Sequence, residues 1–304
     1  MSSAQVLKYL EPFRLSLEKL REISAQLKKD MIRGLGKHTH NRAPVKMLPT
    51  FVRETPDGKG TGTNACYMEE MKNVKRVEGE DGRMCINTEW GGFGDDGSLE
   101  DILTEFDKVV DKTSINPGVH MVRLVLVKLT EEKLLFKGGA SEALLNPGRF
   151  ETKFISEIEE PDRGLENVQK ILTKLDLKWD LVDACVVRLV CDTISSRSAR
   201  LCAAGLATIA NRIRVNRGLD HLKTTVGVDG TVYRKHPNFS DELQAAVRLL
   251  APKCEISFLV SEDGSGKGAA MVAAVAQRLA VQSHLLDDSD GEDEDEEEED
   301  EEDY

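Results

Sequence analysis

The stretch TTVGVDGTVYRKHPNFSDELQAAVRLLAPKCEISFLV, residues 224–260, decides the fold class of the chain. Its first ten residues, 224–233, predict a strand, a turn at the Asp-Gly pair and a second strand. Residues 240–250 predict a helix with Ser240 as its N-cap, and the apolar run 255–260 predicts a short strand. Strands that alternate with helices in this way indicate an α/β architecture.

Two long helices are predicted on the N-terminal side of this stretch. Residues 181–215 are rich in Ala, Leu, Val and Ile, so they predict a helix that lies largely in the core. Residues 4–33 carry apolar side chains close to the helical period, and Pro12 is expected to split off the first turns. Gly34 and Gly36 are the predicted stop signals of this helix.

The region between those two helices predicts a loop, a hairpin and a shorter helix. Residues 37–62 contain three prolines and a Pro-Asp-Gly turn, which indicates a loop. Residues 64–87 predict a strand-and-turn pattern with a hairpin turn over residues 79–82. A glycine-rich loop follows at residues 89–97, and residues 98–110 predict a helix with Ser98 as its N-cap.

The charge of the chain is concentrated at one end. The 304 residues carry 41 Lys and Arg against 54 Asp and Glu, a net charge of -13. Because 15 of the 18 residues in 287–304 are acidic, the rest of the chain holds 39 acidic against 41 basic residues. A near-neutral body excludes a broadly basic nucleic-acid binder, so no nucleic-acid partner is expected.

The acidic tail, residues 284–304, is predicted to be disordered because its like charges repel and it offers almost no apolar surface to bury. Docking of this tail to a basic protein partner is the functional alternative. No apolar run approaches the roughly 20 residues that span a bilayer, so no transmembrane segment is expected. The N-terminal residues lack the features of a secretory signal.

The six cysteines form no Cys-x-x-Cys pair, and several lie in apolar stretches. This pattern predicts buried free thiols in a reducing cytosol, because disulfide frameworks and zinc sites need regularly spaced pairs.

Three glycine-rich loops could approach a phosphate or a sugar, because glycine permits positive φ and close contact with the backbone. They are residues 60–64, 229–231 and 264–268. The third is not a Walker A loop, since Lys267 is followed by Gly268 rather than by Ser or Thr. No Rossmann fingerprint is present either. Each loop alone predicts a tight turn, whereas the three together favour a nucleotide or phosphate ligand about as much as they favour plain turns.

Polar side chains near these loops suit a ligand with several hydroxyls. Asn64, Glu89 and Asp95 combine an amide with carboxylates in a region bounded by glycines. Such groups discriminate between ligands, because a missing hydroxyl leaves a buried partner without its hydrogen bond. The alternative for Glu89 is an ordinary surface carboxylate.

Five segments together resemble the vertebrate hexokinases, including glucokinase. They are VKMLPTFVR (45–53), GTGTNACYMEE (60–70), NTEWGGFGD (87–95), TVGVDGTVY (225–233) and SEDGSGKGAA (261–270). The similarity extends over nearly all of residues 5–283 and leaves only the acidic tail outside it.

The resemblance implies the actin-like, ribonuclease-H-like hexokinase fold, in which two lobes close over a sugar and ATP. It implies phosphoryl transfer from Mg-ATP to the 6-hydroxyl of a hexose such as glucose, a step of glycolysis, in the cytoplasm or at the mitochondrial outer membrane. By resemblance, Asn64 and Glu89 bind the sugar. The residues that the resemblance assigns to ATP and its phosphates are Thr61, Gly62, Thr152, Lys153, Ser156, Thr231, Tyr233, Lys235, Gly264, Ser265 and Gly266.

Two internal gaps set this chain apart from the family pattern. Lys59 runs directly into Gly60, without the first phosphate loop (Asp-x-Gly-Gly), the small lobe, the Ser-Phe-Pro sugar strand or the Asn-Asp pair that carries the catalytic base. A second gap follows Gly118, where the family has a further glutamate contact to the sugar. We therefore expect no catalytic residue and no metal ligand of the family in this chain; Asp57 and Asp95 are weak candidates for a substitute base.

The predicted organisation has three parts: residues 1–59 precede the deleted small lobe, residues 60–283 form the large lobe, and residues 284–304 are the tail.

Phosphoryl transfer needs aligned phosphates and a group that accepts the proton of the hydroxyl. We therefore expect weak or no turnover. The competing hypotheses are an inactive nucleotide- or sugar-binding or regulatory fragment, and a chain that does not fold stably because the missing lobe leaves surface uncovered.

Overall fold

The computed structural model describes residues 3–49, 63–79, 81–113 and 120–260. The helices in these ranges are α1 (Ser3–Leu10), α2 (Leu17–Leu35), α3 (Glu105–Thr113), α4 (His120–Glu131), α5 (Glu142–Leu145), α6 (Thr152–Glu159), α7 (Glu166–Lys174), α8 (Leu181–Asn216), α9 (Thr231–Lys235) and α10 (Phe239–Leu250). The strands are β1 (Leu48–Pro49), β2 (Cys66–Glu70), β3 (Arg83–Asn87), β4 (Leu222–Val228) and β5 (Cys254–Val260). The α/β architecture is confirmed.

The strands form two separate sheets in the described part of the chain. The first is antiparallel with the order β1-β3-β2, and its register sets Cys66 opposite Asn87 and Glu70 opposite Arg83. The second is the parallel pair β4–β5. The predicted hairpin between β2 and β3 is confirmed, and Gly79 and Gly82 supply the positive φ that its turn needs.

Helix α8 lies at the centre of the molecule, as the sequence predicts. Its first turn is closed by a capping box, in which the Asp180 and Asp183 side chains each accept a hydrogen bond from the other residue's backbone N–H. Helices α2, α4, α6, α7 and α10 and strand β2 all contact it. Fully buried alanines on α8 let these neighbours approach closely; they are Ala184, Ala199, Ala203, Ala204 and Ala207.

The N-terminal helix is divided near Pro12, as predicted, by a 3₁₀ turn over Glu11–Phe13. Helix α2 restarts with Ser16 as N-cap, whose Oγ accepts from the Lys19 N–H at 3.1 Å. It ends at Leu35 with Gly36 as C-cap, so Gly36 is confirmed as a stop signal. Gly34 is not one: it lies inside the helix, where a Cβ would come within 2.4 Å of the Val45 carbonyl oxygen.

The prediction that a helix begins at Ser98 is wrong. Residues 98–102 form turns, and α3 begins only at Glu105. Thr104 and Asp107 explain the shift, because the Thr104 Oγ1 accepts from the Asp107 N–H at 3.2 Å and the Asp107 carboxylate accepts from the Thr104 N–H at 2.7 Å. This reciprocal pair satisfies two helix N-terminal donors, which Ser98 does not do.

Two predictions for the segment after β4 are also wrong. Residues 231–233 form the start of α9 rather than a strand, because the helical turn brings Tyr233 into the core against Phe258. Strand propensity is weak and yields to such packing. Helix α10 begins at Phe239, so Asn238, not Ser240, is the N-cap residue.

The cysteines in the described part of the chain form no disulfide bond, and their burial differs from the expectation. Cys191 and Cys254 are buried, whereas Cys66 and Cys185 are exposed. Cys66 faces outward because side chains alternate along β2. No helix in the described ranges is long and apolar enough to cross a membrane. The third glycine-rich loop, residues 264–268, and the acidic tail lie outside the described residues.

A buried ion pair joins the three-stranded sheet to α8. Glu69 and Arg212 form it, with side chains that are 1% and 7% exposed. Glu69 also accepts from the Tyr67 hydroxyl at 2.5 Å and from the Asn73 and Asn216 amides at 2.8 Å each. Burial raises the pKa of Glu69, but the hydrogen bonds and the charge of Arg212 outweigh it, so the pKa lies below its usual range.

Glu69→Ala is expected to destabilise the protein by about 3–5 kcal/mol, because it leaves the buried guanidinium of Arg212 without its counter-charge. Glu70→Ala is the matched control, since Glu70 is partly exposed and pairs with Arg217 at 3.3 Å, and it should cost less than about 1 kcal/mol. Urea unfolding of both variants measures the difference. Equal midpoints for the two variants would show that the pair does not anchor the sheet.

Candidate functional site

The ends of β2 and β3 bring three polar side chains together. Asn64 lies just before β2, Asn87 is the last residue of β3, and Glu89 follows it. Because Cys66 pairs with Asn87 in the antiparallel register, the start of one strand and the end of the other meet at the same edge. The two residues predicted to bind sugar, Asn64 and Glu89, are therefore neighbours in space.

The hydrogen bonds of this cluster are short and mutual. The Asn64 Nδ2 donates to Asn87 Oδ1 at 2.6 Å and to Glu89 Oε1 at 3.2 Å. The Asn87 Nδ2 donates to Glu89 Oε1 at 2.6 Å. The Thr88 hydroxyl, which is buried, donates to Asn64 Oδ1 at 3.1 Å and to the Ala65 carbonyl at 2.9 Å. The three side chains thus form one network with its amide and carboxylate groups at the surface.

Asn87 is the residue that sequence reasoning missed. Strand alternation could not pair it with Glu89, because β3 ends at Asn87 and Glu89 lies beyond it in a left-handed conformation. Its amide now links Asn64 to Glu89. A ligand that contacts either of those residues therefore meets Asn87 as well.

Glu89 has a strained backbone. Its φ of 47° and ψ of 48° lie in the left-handed region, which is costly for a residue other than glycine. Such strain persists where surrounding contacts enforce it and is concentrated at functional sites. Here the network to Asn64 and Asn87 and the following Trp90 fix the conformation.

Trp90 connects the cluster to the centre of the protein. Its Nε1 donates to the Thr63 carbonyl at 2.8 Å, and its ring lies on Gly205 of α8. A Cβ at Gly205 would come within 2.5 Å of the Trp90 ring, so glycine is required for this contact. The position of Glu89 is therefore set by packing against α8.

An open hollow of about 400 Å³ lies beside Glu89. Lys46, Gly92, Asp95 and Asp96 are among the residues that line it. Asp96 is engaged by Arg33 at 3.1 Å, and this contact, with a hydrogen bond from Ser98, lowers the pKa of Asp96. Asp95, the weak candidate for a substitute base, lines the same hollow as Glu89.

Two cysteine thiols lie near the cluster. The Cys66 Sγ approaches Asn87 Oδ1 at 3.8 Å. Its hydrogen bond with Cys85, together with burial and the charge of Glu89, raises its pKa, so the thiol stays protonated at neutral pH.

The residues predicted to contact ATP fall into three groups. Thr152, Lys153 and Ser156 lie on α6, where Lys153 pairs with Glu151 at 2.5 Å and this contact raises the pKa of Lys153. The second group lies on α9, and Thr231 and Lys235 are exposed there. The rest lie outside the described residues: Thr61, Gly62, Gly264, Ser265 and Gly266.

Tyr233 differs from the other residues of its group because it is buried. Its ring stacks on Phe258 with centroids 6.2 Å apart, and its hydroxyl accepts from the Gln244 amide at 3.0 Å. Tyr233 therefore packs in the core beneath α9.

Comparison with known proteins gives one consistent result. A family model described as Hexokinase matches residues 59–275, and a second with the same description matches residues 5–68. Hexokinase-2 of Homo sapiens is 53% identical over 236 residues, which cover 73% of this chain and 26% of that protein. Hexokinase-1 of Rattus norvegicus is 53% identical over 233 residues, 72% of this chain and 25% of that protein. The chain thus spans about a quarter of the length of these curated relatives.

Solved structures agree on the fold. A hexokinase from Schistosoma mansoni, described as complexed with glucose, has a TM-score of 0.80 and 23% sequence identity. The similarity covers 90% of this chain and 98% of that one.

Glu89→Gly is expected to be more stable than Glu89→Ala by about 1 kcal/mol, because only glycine adopts the left-handed conformation without steric cost. Both variants remove the same carboxylate, so their difference isolates the backbone strain. Urea unfolding of the two proteins measures it. Identical midpoints would mean that position 89 is not held in the left-handed region.

Proposed function

The chain belongs to the hexokinase family, and we propose that it retains the part of such a kinase that binds a hexose and Mg-ATP. The family reaction transfers the γ-phosphoryl group of ATP to the 6-hydroxyl of a hexose, glucose above all. We further propose that this chain performs that reaction weakly or not at all. Mg²⁺ enters as part of the nucleotide substrate, because in kinase sites it is held by phosphates, water and one or two carboxylates.

The observation that carries the sugar proposal is the network of Asn64, Asn87 and Glu89. A hexose offers adjacent hydroxyls, each of which can both donate and accept. Two amides and one carboxylate within 3.2 Å of one another can bind several such hydroxyls at once. The left-handed strain at Glu89 supports the same conclusion, because strained residues are concentrated at functional sites.

The nucleotide proposal is supported by α6 and α9. Helix α6 presents Thr152, Lys153 and Ser156, and α9 presents Thr231 and Lys235. Lysine and hydroxyl side chains suit phosphate and ribose oxygens. Nucleotide binding by five further residues stays a prediction from the sequence; they are Thr61, Gly62 and Gly264–Gly266. The nucleotide role of Tyr233 also stays a prediction, and so does the three-part division of the chain at residues 59–60 and 283–284.

The expectation of weak turnover rests on what the sequence lacks. It contains no Asp-x-Gly-Gly loop, no Ser-Phe-Pro strand and no Asn-Asp pair. The two family-model matches overlap at residues 59–68, around the Lys59–Gly60 junction, which supports a deletion at this point. Without a base, the hydroxyl is not oriented and its proton has no acceptor.

An inactive binding or regulatory protein is the second candidate function, favoured by the loss of the base while the Asn64–Glu89 network is kept. Nucleotide binding without sugar phosphorylation would support it. A cytoplasmic location and a basic partner for the acidic tail stay predictions from the sequence.

Glucose binding is expected to change the fluorescence of Trp90, which adjoins Glu89. Asn64→Ala and Glu89→Gln should each weaken binding about tenfold or more, because each removes a hydrogen bond to the sugar. A Trp179→Phe background leaves Trp90 as the single tryptophan. Glu255→Gln is the control, since Glu255 is exposed and pairs with Lys223 on the other sheet. Equal glucose affinity in all four proteins would refute the sugar site.

Turnover with Mg-ATP and glucose is expected to lie at least about 10²–10⁴-fold below that of an intact relative, since loss of a general base alone has an effect of this size. An assay coupled to hexose 6-phosphate measures it. Rates typical of kinases would contradict the proposal. In that case Asp95→Asn decides whether Asp95, on the same hollow as Glu89, serves as the base.

A further inference from the structure

A buried histidine follows the last residue of α9. His236 is 7% exposed, and its Nδ1 accepts from the backbone N–H groups of Asn238 at 3.3 Å and Phe239 at 3.2 Å, at the start of α10. A neutral imidazole carries one proton. Because Nδ1 accepts, the hydrogen-bond network assigns that proton to Nε2.

The Nε2 of His236 faces the carboxylate of Glu159. The distance from Nε2 to Glu159 Oε1 is 3.4 Å, and both side chains are almost fully buried. Nε2 has no hydrogen bond of good geometry among the described residues, which leaves this carboxylate as the charged group opposite it. The imidazole therefore lies against the carboxylate without a well-formed hydrogen bond to it.

Glu159 connects its own helix to two other parts of the structure. It is the last residue of α6, its Oε1 accepts from the Ser195 hydroxyl of α8 at 2.8 Å, and its Oε2 accepts from the Asn238 amide at 3.4 Å. One buried carboxylate thus connects α6, α8 and the segment between α9 and α10. Such a charge is stable only while these partners remain in place.

The residues of the proposed nucleotide site lie on the helices on either side of this contact, since Glu159 is the last residue of α6 and His236 directly follows α9. Helix α6 carries Thr152, Lys153 and Ser156, and α9 carries Thr231 and Lys235. The residues assigned to the nucleotide on these two helices are mostly exposed. The spacing between α6 and α9 must therefore be fixed by the buried contacts beneath them. An error of about 1 Å in such positioning can have large effects on function.

We propose that Glu159 and His236 are positioning residues that hold α6 and α9 at the spacing needed to bind a nucleoside triphosphate. This inference rests on the proposed function. Neither residue touches the nucleotide; Glu159 acts through Ser195 and Asn238, and His236 acts through the start of α10.

The test uses the full chain and titrates Mg-ATP by calorimetry. Glu159→Gln keeps the shape and removes the charge, and it should weaken ATP binding about tenfold without changing glucose affinity. Glu142→Gln, an exposed change on α5, is the control and should bind ATP like the unmodified protein. Equal ATP affinity in both variants would overturn the inference and leave the proposed function standing.

His236→Asn is the second variant, because the Asn oxygen can still accept at the start of α10 while the group that faces Glu159 is lost. It should weaken ATP binding by the same factor. The double variant should lose no more than either single one, since the two residues act as a unit. Full additivity would show that they act separately and would contradict the proposal.

Hydrogen exchange of the unliganded protein separates the two proposals. Amides of residues 231–239 should exchange faster in Glu159→Gln, while those of β3 stay unchanged. If the unmodified chain binds no Mg-ATP, the nucleotide part of the proposed function fails and the role assigned to this pair fails with it. Unchanged exchange in residues 231–239 would show that the pair does not hold α9 at all.

Discussion

The packing of α8 against every layer around it is the constraint on which the structure depends. Three of its residues each fix a different part of the protein: Ser195 contacts Glu159, Gly205 receives the Trp90 ring, and Arg212 pairs with Glu69. Ser195 and Arg212 are 17 positions apart, so at 1.5 Å per residue one rigid helix spans about 25 Å between them. The sheet, the cluster of Asn64, Asn87 and Glu89, and helix α6 are therefore placed relative to one another by a single element.

The sites on this frame are held by polar contacts. At the end of β3, Asn64, Asn87 and Glu89 hydrogen-bond to one another at the surface, where a ligand with hydroxyls can replace those bonds. At the end of α6, the Glu159 carboxylate is buried, and so is the His236 ring that it faces. The surface network can exchange its hydrogen bonds for those of a ligand. The buried contacts of Glu159 can instead hold neighbouring residues in place.

Predictions from local pattern succeeded where one signal dominated. Helix α8 was found from its long apolar run, and the hairpin between β2 and β3 from its strand-and-turn pattern. In both segments the local signals agree with one another. The helix start at Ser98 and the strand at residues 231–233 were wrong because several residues competed. Thr104 with Asp107 provides a better cap than Ser98, and the burial of Tyr233 against Phe258 favours a helical turn.

The sequence by itself determined the family, the α/β class, the candidate residues Asn64 and Glu89, and the lack of an Asn-Asp pair, because these depend on residue identity and order along the chain. Only the tertiary structure decided that Asn87 completes the cluster, that Tyr233 is buried, and that Glu159 lies opposite His236. Those facts depend on contacts between residues far apart in the chain. Such contacts arise from the packing of whole helices and strands, which no local pattern contains.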